Sequence, residues 1–509
     1  MLQFDVGPIG VFLRDKIQQL DYTPKVYEYG TVQSASDDIV QVEGLSHSRY
    51  GELLEFENQA YGLALDLRLN GVGAVLLTGG NHVSAGSAVR GTGRTADICV
   101  GPELLGRVID PIGRPLDGRE LHTSKFRPIE SAAPSIMHRT PVNKPLETGL
   151  LAIDSMIPIG RGQRELIIGD RQTGKTSIAL AAILNQRDKD VICVYCAIGQ
   201  KASTISGLVH TLENSGAMER TVVVSSTASD CSAMQYLAPY AGCAIAEYFM
   251  YEGKDVLIVY DDLSKHAVAY RAISLLLRRP SGREAYPGDV FYLHSRLLER
   301  AARLDDSLGG GSMTALPIVE TMAGDISAYI PTNVISITDG QIYLESELFH
   351  SGIRPAVNVG LSVSRVGRSA QHAAMRKVSG SLRLDVAQYR DMAVFAQFGA
   401  DIDETTSKQL RKGEQLMELL KQQQTELLSL AEQVAILVAF SDNALQHIAV
   451  DELPACKQAL LEYLRRENSH LLATINTTGK LEDSDKAALS NAIQRFAAAY
   501  GEKADAEHK

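Results

Sequence analysis

Apolar positions along this chain change their spacing three times. Over residues 6–20, Ile9, Phe12, Leu13, Ile17 and Leu20 recur at helical spacing while Arg14, Asp15 and Gln18 fall off the stripe, which predicts an amphipathic helix over 1–23. Its apolar face docks either on its own domain or on a partner. From about 24 to 93 the period drops to two. Leu63, Leu65, Leu67 and Leu69 alternate with Ala64, Asp66 and Arg68, and Asn70-Gly71 precedes a second run at 72–77. An Asn-Gly pair between alternating runs signals a hairpin, so a small β-barrel is expected there.

Residues 105–145 carry Asp110-Pro111, Asp117-Gly118 and the prolines 128, 134, 141 and 145, which favour extended backbone and remove amide donors. They read as a connector wrapping a core. Between about 150 and 370, apolar runs at 166–168, 191–197, 221–224 and 256–260 alternate with helix-like segments. That is the pattern of a mostly parallel sheet covered on both faces, giving an α/β domain over 94–371. From 372 to 509, Leu, Ala, Glu, Gln and Lys dominate at helical spacing, and Pro454 is the only proline. A C-terminal helical domain is predicted.

The 509 residues match about three domains at roughly 100–200 residues each. The apolar run at 434–440 is far short of the roughly 20 residues a bilayer span needs, so no direct membrane span is expected. The N-terminus lacks the pattern of a secretion signal, which predicts a protein kept in the cytoplasm or an equivalent compartment. Six cysteines are too few for a disulfide framework. Cys193 and Cys196 have CxxC spacing but sit inside an apolar run with no second pair, and read as buried thiols. A net charge of −11 argues against a nucleic-acid partner.

Gly169-Asp170-Arg171-Gln172-Thr173-Gly174-Lys175-Thr176 fits the phosphate-loop spacing GxxxxGK[ST] between a strand and a helix. The glycines let backbone amides turn towards a phosphate, Lys175 supplies a point charge between phosphates, and the Thr176 hydroxyl can ligate Mg2+. The run at 256–260 ends in Asp261-Asp262, and Asp261 is expected to hold that Mg2+, usually through water.

Around these motifs the residues 161–176 resemble the alpha-subunit family of F-type ATP synthases, whose phosphate loop carries the same Asp-Arg-Gln-Thr filling. The likeness recurs at 105–118, 260–265, 280–296 and 355–364. It implies a β-barrel crown, a RecA-like P-loop domain and a helical C-terminal domain. It also implies an alpha3beta3 ring of alternating beta subunits around a gamma central stalk. Delta and b peripheral-stalk subunits and an Fo membrane sector complete the complex, which makes ATP from ADP and phosphate on an ion gradient, or hydrolyses it in reverse. The family places such a subunit peripherally on the cytoplasmic face of a bacterial inner membrane, and delta is its partner for the stripe at 6–20.

The resemblance assigns roles as well. Where the catalytic beta subunit carries a glutamate, alpha carries the glutamine matched by Gln200, so this protein is expected to hold ATP or ADP without turning it over. Arg365, with Ser362 in the same loop, matches the arginine that reaches into the adjacent beta site. Arg354, Pro355, Gln422 and Gln424 match the adenine pocket. His266 departs from the family, where glutamine is usual, and suggests a second or specialised copy. The competing expectation is a catalytic RecA-like hexameric ATPase of the protein-export or RNA-translocating type, which should carry a carboxylate at position 200 or a basic barrel.

Overall fold

The computed structural model describes residues 27–79, 82–397 and 404–507, so the stripe at 6–20 lies outside the described residues. The chain divides into two units, Met1–Thr95 and Ala96–Lys509.

In the first unit, strands Tyr29–Ser36, Ile39–Glu43, Glu52–Phe56, Tyr61–Arg68, Gly71–Thr78 and Ala88–Thr95 close an antiparallel barrel. Val32, Val40, Val42, Leu54, Phe56, Val72, Ala74 and Leu76 form its core. The alternation expected across 63–69 does not hold: Leu63, Ala64 and Leu65 are all buried, while Leu67 and Leu69 are exposed. The register shifts between Ala64 and Asp66, and an extra residue in one strand turns every later side chain to the other face. The predicted hairpin exists, displaced by one residue. Arg68 pairs with Gly71, so Leu69-Asn70 makes the turn. Gly71 opens the next strand because a Cβ there would meet the Val42 carbonyl oxygen at 2.5 Å.

The second unit is built on an eight-stranded sheet. Its order is Val363–Ser364, Gly340–Leu344, Leu166–Gly169, Ser312–Glu320, Asp255–Asp261, Val191–Gln200, Thr221–Thr227, Val108–Ile109. All neighbours are parallel except the first pair. Val191–Gln200 is buried along nearly its whole length, as a strand covered on both faces must be. Cys193 and Cys196 are free and buried within it, and burial pushes the Cys193 thiol up to about 12. Helices follow from residue 373 onward. Leu430–Ser441, apolar except for Glu432, Gln433 and Ser441, is buried at nearly every position and starts at a capping box between Ser429 and Glu432, so it forms the centre of the helical part. No helix among the described residues is long and apolar enough to cross a membrane.

Glu147 ties the helical part to the sheet: it pairs with His372 at 2.9 Å and with Lys189. Burial works to raise its pKa, but the His372 hydrogen bond and the Lys189 charge outweigh that and bring it to about 2. A carboxyl depressed in the folded protein contributes stability above its unfolded value of about 4.5, lost as pH falls towards 2. After screening, about 1–2 kcal/mol is at stake. Glu147→Gln is therefore expected to lower the thermal midpoint at pH 7 and to flatten its fall between pH 4.5 and 2. An unchanged acid limb would contradict this assignment.

Candidate functional site

Leu166–Gly169 ends at the centre of the sheet, and the backbone turns through Gly174, at φ +95°, into helix Lys175–Leu184. That helix has no side-chain cap at its N-terminus, which leaves its first amides available to an anion at the positive end of the helix dipole. Lys175 is buried, and its Nζ donates to the Gly169 and Asp170 carbonyls at 2.9 and 2.5 Å. Burial lowers its pKa, against the charges of Glu320, Asp262, Asp261 and Asp170. The remaining loop side chains face the protein or solvent. Thr173 donates to the Asp170 carbonyl. The Asp170 carboxylate accepts from Thr321, Gly324 and Ser346. Arg171 is exposed and pairs with Glu320 at 3.0 Å, and Gln172 is exposed at φ +62°.

Two strands away, Asp255–Asp261 delivers Asp261 to this loop. The Thr176 hydroxyl donates to its Oδ2 at 2.7 Å. Tyr195 donates to the same oxygen at 2.6 Å, and Gln200 Nε2 donates to Oδ1 at 2.9 Å. Asp262 caps the next helix by accepting from the Lys265 amide, and burial pushes its pKa up to about 6. A hydroxyl beside one carboxylate suits Mg2+, which binds through one or two carboxylates and keeps phosphate and water as its other partners. The predicted pair, Thr176 and Asp261, is therefore assembled, with Gln200 held against it.

A cavity of about 960 Å³ runs from Thr173, Gly174 and Ser177 past Phe349, Arg354 and Pro355 to Gln422 and Gln424. It joins the phosphate loop to all four residues matched to the base pocket. Arg354 lies over the Phe349 ring, 4.4 Å from its centre. Without the family, Gln422 reads as an exposed helix end; it is in fact buried beyond the end of helix Glu404–Leu420. Its amide donates to the Gly149 carbonyl at 2.6 Å and accepts from the Leu151 amide at 3.0 Å, so it shapes the cavity wall. Gln424 lines the same cavity and makes no side-chain hydrogen bond to the described residues. Gln422→Leu would orphan the Gly149 and Leu151 groups, at about 1–3 kcal/mol. A lower thermal midpoint is expected, and an unchanged one would show that the tie is dispensable.

Arg365 lies elsewhere. Ser364 pairs with Gly340 and Val363 with Gln341, while Gln341 pairs with Leu166 and Leu344 with Gly169. Arg365 therefore leaves the sheet at the end opposite the phosphate loop. Counted from Ser364, the residue before it, the separation is about 13 Å along the strands, with two steps of about 4.8 Å across them. Arg365 is exposed, its amide donates to the Asp339 carbonyl, and its guanidinium makes no hydrogen bond or ion pair with the described residues. Its neighbours differ: Arg164 grips Asp339 at both oxygens, and Arg383 donates to the Val359 and Ser362 carbonyls. Ser362 is buried, donating to the Asn358 carbonyl and accepting from the Tyr343 amide, so its hydroxyl is spent in holding the loop.

Sequence reasoning missed Tyr195 on Asp261, Phe349 under Arg354, and Glu165 and Asp339 behind Arg365. Only Tyr195 left a signal, as a polar tip in an otherwise apolar strand, on the same face as position 197, which pairs with Asp261.

Three family models match the sequence. They are the beta-barrel domain of the ATP synthase alpha/beta family over residues 25–93, the nucleotide-binding domain of the same family over 149–364, and the C terminal domain of the ATP synthase alpha/beta chain over 371–496. The sequence is 57% identical over 494 residues to the ATP synthase subunit alpha of Acetivibrio thermocellus, covering 97% of this chain and 98% of that one. It is 56% identical to the counterpart in Caldanaerobacter subterraneus subsp. tengcongensis, covering 98% of each. Against ATP synthase subunit alpha of Clostridium botulinum strain Alaska E43 it is also 56% identical, covering 95% of this chain and 96% of that one.

Proposed function

The chain belongs to the ATP synthase alpha/beta family, with its relatives on the alpha side, and from that premise we propose that it is a nucleotide-holding, non-catalytic subunit of F1. It lends Arg365 to the catalytic site of an adjacent beta subunit. Three copies alternate with three beta subunits around gamma, held by the delta and b peripheral stalk to Fo, on the cytoplasmic face of a bacterial membrane.

The observation that carries this reading is the placement of Arg365 at the end of the sheet opposite the protein's own phosphate loop. A guanidinium that makes no hydrogen bond or ion pair with the described residues, out of reach of the phosphate its own loop would hold, is suited to meet a phosphate on another subunit. There it spreads charge-assisted hydrogen bonds over oxygens that gain negative charge in the transition state.

The protein's own site supports holding without turnover. Lys175 and the amides of helix Lys175–Leu184 receive the phosphates, the cavity between Phe349 and Gln424 receives the base, and Thr176 with Asp261 would hold Mg2+. Mg2+, when bound, neutralises and orients the phosphate oxygens. Attack by water also needs a group to orient or deprotonate it. The residue at that strand end is Gln200, whose amide is tied to Asp261 and which carries no basic carboxylate.

The purified protein is expected to bind Mg-ATP with negligible turnover and to gain turnover on mixing with beta and gamma subunits. Robust hydrolysis by the protein alone would overturn the proposal.

A further inference from the structure

Behind the loop that carries Arg365 lies a carboxyl that the mechanism above does not use. Glu165 is fully buried. Its Oε2 accepts from Gln163 Nε2 at 2.6 Å, and the same nitrogen donates to Ser364 Oγ at 3.1 Å. Ser364 in turn donates to the Pro158 carbonyl and accepts from the Gly367 amide, so the residue before Arg365 is fastened through Gln163 to Glu165. Gly340 makes room for this arrangement. A Cβ there would lie 2.6 and 2.9 Å from the two Glu165 oxygens and 2.2 Å from the Val363 carbonyl.

The other oxygen, Oε1, has no hydrogen-bond partner among the described residues. A buried acceptor left unsatisfied costs about 1–3 kcal/mol, and such groups in native folds call for a reason. Asp339 and Arg365 act on it electrostatically, and Arg164 and Glu299 join this group through the ion pairs of Arg164 with Asp339 and Glu299. Arg164 is consumed by Asp339 and Glu299, which leaves Arg365 as the uncommitted cation among these four.

We infer that Glu165 positions Arg365: a buried carboxyl, linked to Ser364 through Gln163, that acts as counter-group to the guanidinium and fixes the direction in which it leaves the sheet edge. Burial and the Asp339 charge push this carboxyl well above the usual carboxylate range, while Gln163 and Arg365 pull it back. The inference rests on the proposed role of Arg365. Direction matters because a misplacement of about 1 Å at a reacting group costs on the order of 10²-fold in rate.

The test uses the complex assembled with beta and gamma subunits. Glu165→Gln keeps the size of the side chain and leaves it unable to ionise against the guanidinium. Its kcat is expected to fall about tenfold while KM for ATP stays within about twofold, with nucleotide binding to this subunit unchanged. Gln163→Met, which leaves Glu165 in place but cuts its link to Ser364, should do the same, and it decides by the same criterion if Glu165→Gln fails to assemble. In an Arg365→Ala background, Glu165→Gln should add less than a twofold further loss. A kcat within twofold of the parent, or an undiminished loss in the Arg365→Ala background, overturns the inference. The two readings fail separately. Normal turnover by Arg365→Ala removes the role of Arg365 itself, whereas a dead Arg365→Ala complex beside an unaffected Glu165→Gln complex removes only the positioning.

Discussion

Replacing Arg365 by alanine is expected to cut turnover of the assembled enzyme by about 10³- to 10⁵-fold, the range for arginine fingers in phosphoryl transfer. Mg-nucleotide binding to the mutated subunit itself should stay within about twofold, because the side chain leaves the sheet away from its own phosphate loop. The fold should tolerate the change. Arg365 is exposed, and only its backbone amide, which alanine retains, is bonded to Asp339. Measuring turnover and nucleotide affinity on the same preparations checks both halves. Turnover near the parent's would remove the proposed role, and so would a parallel loss of affinity at the subunit's own site.

Lys175→Met should give the reverse pattern. A lysine between two phosphates makes charged hydrogen bonds worth about 1.5–3 kcal/mol each. Two of them correspond to roughly 10²- to 10⁴-fold in affinity at about 1.4 kcal/mol per decade. Methionine fills similar space and removes a buried charge, so only the two bonds to the Gly169 and Asp170 carbonyls are lost from the free protein. Affinity for Mg-ATP is expected to collapse while the thermal midpoint moves little. Retained affinity would show that the loop does not hold the phosphates.

How far the sequence could be read depended on how local each feature is. The phosphate loop was legible because eight consecutive residues dictate their own backbone path and lie between a strand and a helix whose patterns are equally local. The barrel was legible as a barrel, yet the faces of Leu65, Leu67 and Leu69 were not. A register shift at Ala64–Asp66 is set against the partner strand, which no spacing within 63–69 reveals. Without the family resemblance Gln422 reads as an exposed helix end for a similar reason: its partners Gly149 and Leu151 stand some 270 residues away. Arg300 was invisible as a structural residue. It is buried and grips Glu247 with two bonds of 2.7 Å, a pairing that composition alone would place on the surface. The residues behind Arg365 share this character, since Glu165, Asp339 and Ser364 converge only once three strands are laid side by side.

The opposed placement of the phosphate loop and Arg365 on one sheet has a mechanical corollary. Packed sheets deform little, so any rotation of this sheet would move the phosphate loop at one end and Arg365 at the other together, as two arms of one lever. A swing of about 5° over an arm of about 13 Å carries the tip through about 1 Å, a displacement worth on the order of 10²-fold in rate. Under the role proposed for Arg365, rocking a single domain would therefore gate the reaction next door without any bond inside that domain being broken.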